Sequence, residues 1–492
     1  MNKLELIDYF FRPKNVTLIG VSRNLMGASG LILSNIIGGG YEGPLHLINK
    51  NIPDGKKILG KTILKSIQEI DTDLDLTFII VPSRVVPEVL EEVGDKNAKA
   101  VIVVSSGFAE SISYDKEKLS LQDELVKIAN KKGFVFTGPN CNGVYTEAIS
   151  LNAIFGPRVN CLPGGSISYV TRGGTAGIHS MIETTIRGIG VSKNINLGDS
   201  ANLEIQDFIE YYGNDPETKV IGCYTEGINN GRDFIEKVKK VNKIKPVVFF
   251  KSGNTQGGRK AAMSHVGAIA SEFSESIYHG AVKQTGIIPV ESLFELVDVC
   301  TAFMITYIPK GKRALIITPA GSLGVMCSDE VYKAGLILPT LRPDQIESFN
   351  KMLPEYWSHN NPIDLTDSMD FTIFGKIIKI MLKDLDNDGL IILFGDVSDD
   401  TDGIVNFGIE MDELDFFDTV VKDQVRKINK LRQRDVIAQK PVFFLGPVHA
   451  RNKLPNFFRE NKIICLPEYR KIARTFAAMA GWHEYTKITK IE

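Results

Sequence analysis

The sequence predicts an α/β protein made of three consecutive doubly wound parallel sheets. Three observations carry this expectation. Short apolar runs rich in β-branched residues recur along the chain without polar alternation, the pattern of strands buried on both faces. Helical stretches separate them, which makes βαβ units and parallel sheets. The chain has 492 residues, room for two to four domains at about 100–200 residues each.

In chain order the strand-like runs are Val16–Val21, Leu74–Val81, Ala100–Ser105, Ser166–Val170, Val220–Tyr224, Pro246–Lys251, Ala314–Thr318, Gly389–Phe394 and Pro441–Leu445. Between them lie helical patterns such as Val85–Val93, Leu119–Lys131, Arg232–Val241 and Ser292–Tyr307. Punctuation divides the chain into residues 1–147, 148–308 and 309–492. Gly138-Pro139-Asn140-Cys141-Asn142-Gly143 closes the first block, and Leu162-Pro163-Gly164-Gly165 precedes the second. Pro309-Lys310-Gly311-Lys312-Arg313 opens the third, and the acidic stretch Val397–Asp402 reads as a solvated loop.

Composition narrows the function. Lysine and arginine number 57 against 59 acids, a balance that argues against bulk electrostatic binding of nucleic acid. Six cysteines, Cys141, Cys161, Cys223, Cys300, Cys327 and Cys465, form no CxxC pair. Neither a zinc site nor a disulfide framework is expected, and no tightly bound metal. Free thiols suit a reducing cytoplasm. The first residues, Met1-Asn2-Lys3-Leu4-Glu5-Leu6-Ile7-Asp8, carry acids early and no long apolar core, so no signal peptide is expected. No apolar run approaches about 20 residues, so no membrane span is expected either.

The junctions carry the chemistry. The first strand runs into Gly20-Val21-Ser22-Arg23, followed by Gly27 and Gly30. This is where a doubly wound sheet presents backbone N–H groups and a helix N-terminus to phosphate. Ser22 stands where a full GxGxxG has its second glycine, and an ordinary strand-to-helix turn explains the segment equally well. Gly55 to Thr62 (Gly-Lys-Lys-Ile-Leu-Gly-Lys-Thr) formally matches a Walker A loop. Its bulky interior and its separation from the preceding run mark the match as coincidence. Ser105-Ser106-Gly107-Phe108 ends another strand with small residues, at a ligand position or a plain turn.

In the second block, Val170-Thr171-Arg172-Gly173-Gly174-Thr175-Ala176-Gly177 follows a strand and should open a helix. Its bare backbone forms a phosphate nest or a ligand-free glycine turn. Tyr224-Thr225-Glu226-Gly227 ends a strand with a carboxylate, which alone is more often a solvated turn acid. Ala261-Ala262-Met263-Ser264-His265-Val266-Gly267-Ala268-Ile269-Ala270 sets one histidine among small residues, where a ligand can approach closely. A lone histidine is more often structural. The other six histidines lack a comparable setting.

Together these motifs resemble the α subunit of NDP-forming acyl-CoA synthetases, above all the ADP-forming acetate–CoA ligase group, and more distantly the succinyl-CoA synthetase α subunit. The resemblance rests on Phe10-Phe11-Arg12-Pro13-Lys14-Asn15-Val16, Ile19-Gly20-Val21-Ser22-Arg23, Ile80-Val81-Pro82-Ser83, Ser106-Gly107-Phe108 and Gly138-Pro139-Asn140-Cys141. It continues through Ser264-His265-Val266-Gly267-Ala268, Thr318-Pro319-Ala320-Gly321, Asn361-Pro362-Ile363-Asp364 and Leu466-Pro467-Glu468-Tyr469-Arg470.

The resemblance implies a Rossmann-like CoA-binding domain followed by two flavodoxin-like domains. It also implies a reversible reaction of acid, CoA and ATP to acyl-CoA, ADP and phosphate through an acyl phosphate and a phosphohistidine. His265 would be the nucleophile, Glu226 the carboxylate on its other ring N–H, and Thr171, Arg172, Gly173, Gly174 and Thr175 the phosphate-holding helix start. Ser22, Arg23, Lys50, Pro82, Ser83, Ser106 and Gly107 would contact CoA. Two hydroxyls usual in relatives are missing here, at Gly173 and Val266. No stretch accommodates the family's ATP-grasp fold, so a separate β subunit is expected to bind ATP or ADP with Mg, and a small carboxylic acid or its acyl-CoA to be the substrate. No nucleic acid or membrane partner is expected. Rival readings are a catalytically silent CoA-binding protein, a nucleotide-independent acyl-CoA transferase and, from the Walker A match, an autonomous NTPase.

Overall fold

The computed structural model describes residues 1–53, 55–109, 117–258, 260, 275–366, 370–393, 411–446, 448 and 453–489. His265 and the stretch Val397–Asp402 lie outside them. The chain forms two compact units, Met1–Thr185 with Ile189–Leu296, and Ile186–Gly188 with Val297–Glu492.

The first unit holds two seven-stranded sheets. One is built from β1 (Val16–Ile19), β2 (Leu45–Ile48), β3 (Lys57–Ile58), β4 (Lys61–Leu64), β5 (Leu76–Ile79), β6 (Ala100–Val103) and β7 (Val135–Thr137), in the order β3-β4-β2-β1-β5-β6-β7. All its neighbours are parallel except the β3–β4 hairpin. Without the hairpin lip this is the doubly wound dinucleotide-type order, reversing between β1 and β5. Every residue of β1, β5 and β6 is buried, as unalternating runs require. The helix Val86–Asp95 shows the complementary period: Val86, Val89, Leu90 and Val93 are its buried face.

The Gly55–Thr62 segment lies on the β3–β4 hairpin, with Leu59 and Gly60 at positive φ in its turn. The loop leads into β4 rather than into a helix, so the strand–loop–helix that a Walker A loop needs is not formed.

The second sheet comprises β8 (Gly143–Thr146), β9 (Leu151–Ile154), β10 (Ile167–Thr171), β11 (Val191–Asn196), β12 (Val220–Thr225), β13 (Val247–Lys251) and β14 (Ile288–Val290), ordered β14-β13-β12-β10-β11-β8-β9. Strands β10 to β14 are parallel in the flavodoxin-like order, which reverses between β10 and β12, and the hairpin β8–β9 adds to the β11 edge.

An aromatic and ionic seam fastens the N-terminal segment to this second sheet. Phe11 stacks on Tyr211, meets Phe208 edge-on and lies tilted against Tyr212, and Phe10 meets Phe208 edge-on, all on the helix Ile205–Asn214. Arg12 bridges Asp8, Asp215 and Glu217. Lys193 is fully buried on β11 between Asp215 at 2.7 Å and Glu217 at 2.5 Å. Burial works to raise the Asp215 pKa, but Lys193, Thr218 and Arg12 outweigh it and hold that carboxyl down to about 2.

The second unit holds β15 (Ala314–Thr318), β16 (Ile363–Asp364), β17 (Gly389–Ile392), β18 (Val442–Leu445) and β19 (Ile463–Leu466), all parallel, in the order β16-β15-β17-β18-β19. This again is the flavodoxin-like winding. Among the described residues no helix is long and apolar enough to cross a membrane, no cluster of potential metal ligands occurs, and all six cysteines are free.

Candidate active site

Ligands of open α/β sheets bind beyond the carboxyl ends of the strands, where the strand order reverses. In the first sheet that crevice lies beyond β1 and β5. Gly20 follows β1 with φ +94°, and a Cβ there would stand 2.2 Å from the Ile80 carbonyl oxygen. The loop after it is tied by Ser22 N–H to Ser29 Oγ at 3.1 Å. Gly30 is needed because a Cβ would meet Leu25 Cα at 2.4 Å, so the loop folds closely over the start of the helix Ala28–Gly39.

Pro82 and Ser83 follow β5, Ser106 and Gly107 follow β6, and Lys50 follows β2. A Cβ on Gly107, at φ +97°, would come within 3.1 Å of Ser83 Oγ. Topology therefore puts Ser22, Arg23, Lys50, Pro82, Ser83, Ser106 and Gly107 along one edge of the sheet, with Arg23, Lys50 and Ser106 exposed.

The second reversal point gathers more chemistry. Strand β10 ends at Thr171, and the helix Gly174–Ile186 begins almost at once. The strand end is pinned by Arg172 N–H to the Tyr224 carbonyl at 3.0 Å and by Asn196 Nδ2 to the carbonyls of Thr171 and Arg172. Thr171 is buried, its Oγ1 without a partner and 2.8 Å from where a Gly177 Cβ would be. The exposed hydroxyl residue of the nest is Thr175. At Gly174 a Cβ would collide with the Asn142 side chain, 2.2 Å away. That asparagine lies against the helix start.

Across the crevice, Glu226 follows β12. Its Oε1 accepts a 3.0 Å hydrogen bond from the Tyr224 hydroxyl. A Cβ on Gly173 would stand 3.7 Å from that oxygen. The carboxylate and the nest thus lie close together. Ser252 follows β13, and its Oγ lies 3.0 Å from the Tyr224 hydroxyl.

Arg172 is 6% exposed. Its Nη2 donates to the Asp199 carbonyl at 3.0 Å, while Nε and Nη1 are buried without partners. Burial lowers its pKa, against the pull of the Glu204, Glu226 and Asp199 charges. A buried guanidinium with two idle donors beside a helix N-terminus is equipped to take an anion. Sequence reasoning assigned no role to Tyr224 or Ser252. The available signal was the i, i+2 spacing of Tyr224 and Glu226, which puts both on one face of an extended chain.

Three stretches of the chain match known families. Residues 14–147 match the CoA binding domain, residues 164–303 the succinyl-CoA ligase like flavodoxin domain, and residues 314–397 the ligase-CoA domain. The chain is 34% identical over 390 residues to the alpha subunit of Pyrococcus furiosus acetate–CoA ligase (ADP-forming) II, covering 79% of this chain and 82% of that one. The alpha subunit of the same organism's acetate–CoA ligase (ADP-forming) I is 30% identical over 482 residues, 97% of this chain and 98% of that one. Among solved structures, the dinucleotide forming acetyl-coenzyme A synthetase 1 of Ca. Korarchaeum cryptofilum, in complex with phosphate and ADP, superposes with a TM-score of 0.82 at 27% identity over 100% of both chains.

Proposed function

The chain belongs to the family of alpha subunits of ADP-forming acetate–CoA ligases, and from that premise we propose that it carries the acyl-CoA half of the reaction, ending on a phosphorylated His265. The observation that carries this reading is the second reversal point: Glu226 and the nest Thr171–Thr175 flank one crevice, with the buried, partly idle guanidinium of Arg172 beside it.

The steps follow from the chemistry of the groups. A phosphate oxygen attacks the thioester carbonyl, the C–S bond breaks, and CoA leaves as its thiolate. The acyl phosphate then loses its phosphoryl group to a His265 ring nitrogen, and the P–O bond electrons stay on the departing carboxylate. Glu226 accepts the other ring N–H and supports the cationic phosphohistidine. Thr175, the bare backbone at Gly173 and Gly174, and the Arg172 guanidinium hold the phosphoryl oxygens, while Thr171 anchors the strand end. Phosphoryl transfer asks chiefly for such positioning and charge stabilisation. CoA lies along the first sheet's edge, with Lys50 or Arg23 on its phosphates and Ser22, Pro82, Ser83, Ser106 and Gly107 along its length.

The substrate is a small carboxylic acid or its acyl-CoA. Nucleotide with Mg belongs to a separate ATP-grasp β subunit, to which His265 delivers phosphate for ADP. The six free cysteines fit a cytoplasmic setting.

The test is phosphoenzyme formation from the acyl-CoA side. The chain is mixed with radiolabelled phosphate and acetyl-, branched-chain, aryl and dicarboxylic acyl-CoAs. Acid-labile, base-stable label that vanishes in His265→Ala is the expected result. Absence of label in protein that still binds CoA would instead support a silent CoA-binding role, and CoA exchange between acids without phosphate would support a transferase.

A further inference from the structure

Tyr224 lies at the reversal point of the second sheet, two residues before Glu226 at the end of β12. It is half-buried, with its ring 5.3 Å from that of Phe250. Its hydroxyl has two neighbours, Glu226 Oε1 at 3.0 Å and Ser252 Oγ at 3.0 Å. A phenol has one proton to give. A carboxylate can only accept, so that proton goes to Glu226, and the Ser252 hydroxyl must be the donor to the tyrosine oxygen. The result is a directed chain, Ser252 O–H to Tyr224 O–H to Glu226, joining the ends of β13 and β12. Charge-assisted bonds of this kind are the stronger ones. Burial, and then the neighbouring Glu226 charge, push the phenol up to about 12, so the proton stays on it throughout the neutral range.

The nest is shaped around this tyrosine. A Cβ on Gly173 would stand 2.9 Å from Tyr224 Cε1, closer than real Cβ atoms come. The space a side chain would need at Gly173 is occupied by the tyrosine ring.

We propose that Tyr224 is a positioning residue for phosphoryl transfer: relayed from Ser252, it fixes the carboxylate rotamer of Glu226, and Gly173 is glycine to admit its ring. This rests on the reading of Glu226 as the partner of His265. Tyr224 itself moves no proton and touches no reacting atom. Without its hydroxyl the carboxylate rotates among several rotamers, and the histidine ring loses its fixed partner.

The experiment uses the full chain, the acyl-CoA panel and radiolabelled phosphate described above, and follows the initial rate of labelling together with the half-saturating acyl-CoA concentration and the thermal midpoint. Tyr224→Phe keeps the ring and removes the hydroxyl. The expected outcome is a rate about ten- to a hundredfold lower, matching loss of a hydrogen bond to a charged group, with half-saturation and midpoint near wild type. Ser252→Ala should act in the same direction and less strongly. Because serine acts through tyrosine, adding it to Tyr224→Phe should change little further.

Labelling of Tyr224→Phe at the wild-type rate overturns the proposal and leaves the phosphohistidine reading intact. A fall in rate that merely follows a fall in folded fraction overturns it as well. If Tyr224→Phe does not fold, Ser252→Ala decides, and a wild-type rate in that variant is again fatal. Absence of label in the wild-type chain, or label that survives His265→Ala, removes the reading on which the proposal stands.

Discussion

The second and third sheets share a winding order and differ at their reversal points. In each, the first strand runs through a short turn into a helix, Gly174–Ile186 in one and Gly321–Lys333 in the other. Around the first helix start lie a buried arginine with two idle donors and a glutamate held by a tyrosine. The second is closed in on itself. Thr318 Oγ1 accepts from the Ala320 N–H at 3.1 Å, and the Asp364 carboxylate stands 2.8 Å from where a Gly321 Cβ would be. A carboxylate of the protein already stands at the positive end of that helix, where it is favoured. Winding order supplies a place for a ligand, and the side chains at the strand ends decide whether one is taken.

The largest expected effect breaks this asymmetry directly. Arg172→Met keeps the length of the side chain and removes its charge. Phosphoenzyme formation should fall by about a hundredfold or more, in keeping with loss of a buried charged donor to a phosphoryl group, while CoA binding by calorimetry stays near wild type. Asp364→Asn, the counterpart change in the third sheet, should leave labelling within about twofold. Equal losses in the two variants would show that the third reversal point takes part in the chemistry.

A stability comparison comes next. Gly20 sits where the first sheet reverses, at φ +94°, with the Ile80 carbonyl 2.2 Å from any Cβ. Gly55 also has positive φ, +70°, but no atom within 4 Å of its Cβ position. Gly20→Ala should therefore cost about 2–4 kcal/mol in denaturant unfolding, against about 1 kcal/mol for Gly55→Ala. Only the former should weaken CoA binding.

A smaller effect, specific to acid, concerns the seam of Arg12, Lys193 and Asp215. Asp215 titrates near 2 in the folded chain, against 3.8 as its ordinary value. A lowered folded pKa means that its stabilisation is complete above about pH 4 and is lost as pH falls through 2. At about 1.4 kcal/mol per unit the contribution is about 2 kcal/mol. Urea unfolding of the wild type should lose about that much between pH 4.5 and 2 relative to Asp215→Asn, which lacks the titration. Parallel pH curves for the two proteins would contradict the assignment.

Much of the architecture was legible because its strands are unalternating apolar runs. Val16–Val21, Leu74–Val81 and Val220–Tyr224 all mark real strands, and the structure trims or extends them by a residue or two. Strand β11 escaped for a physical reason. Val191–Asn196 is buried throughout yet carries Lys193, paired with Asp215 and Glu217, and Asn196, bonded to the carbonyls of Thr171 and Arg172. Such pairing cannot be seen before the partners are brought together. At the site, the nest and Glu226 were legible as strand ends. The Tyr224–Ser252 chain was not, because it joins two strands adjacent only in space. The histidine lies outside the described residues, so its geometry against Glu226 stays a proposal for the labelling experiment.

The last prediction concerns a motif that the sequence advertises and the fold disarms. Gly55 to Thr62 spells a Walker A pattern, and in a P-loop the lysine before the final hydroxyl residue would be Lys61. A working loop leaves a buried strand, wraps phosphate with backbone N–H groups and enters a helix whose N-terminus faces the anion. Here the segment forms an antiparallel hairpin at the edge of the first sheet, its turn at Leu59 and Gly60, with Lys61 exposed at the start of β4. The lysine has no cradle behind it and no helix dipole beside it. Lys61→Ala should therefore leave phosphoenzyme formation and CoA binding within about twofold of wild type, as exposed substitutions away from special features do. A loss of nucleotide-dependent turnover by tenfold or more in that variant would restore the NTPase reading and move the catalytic centre from the second sheet to the rim of the first.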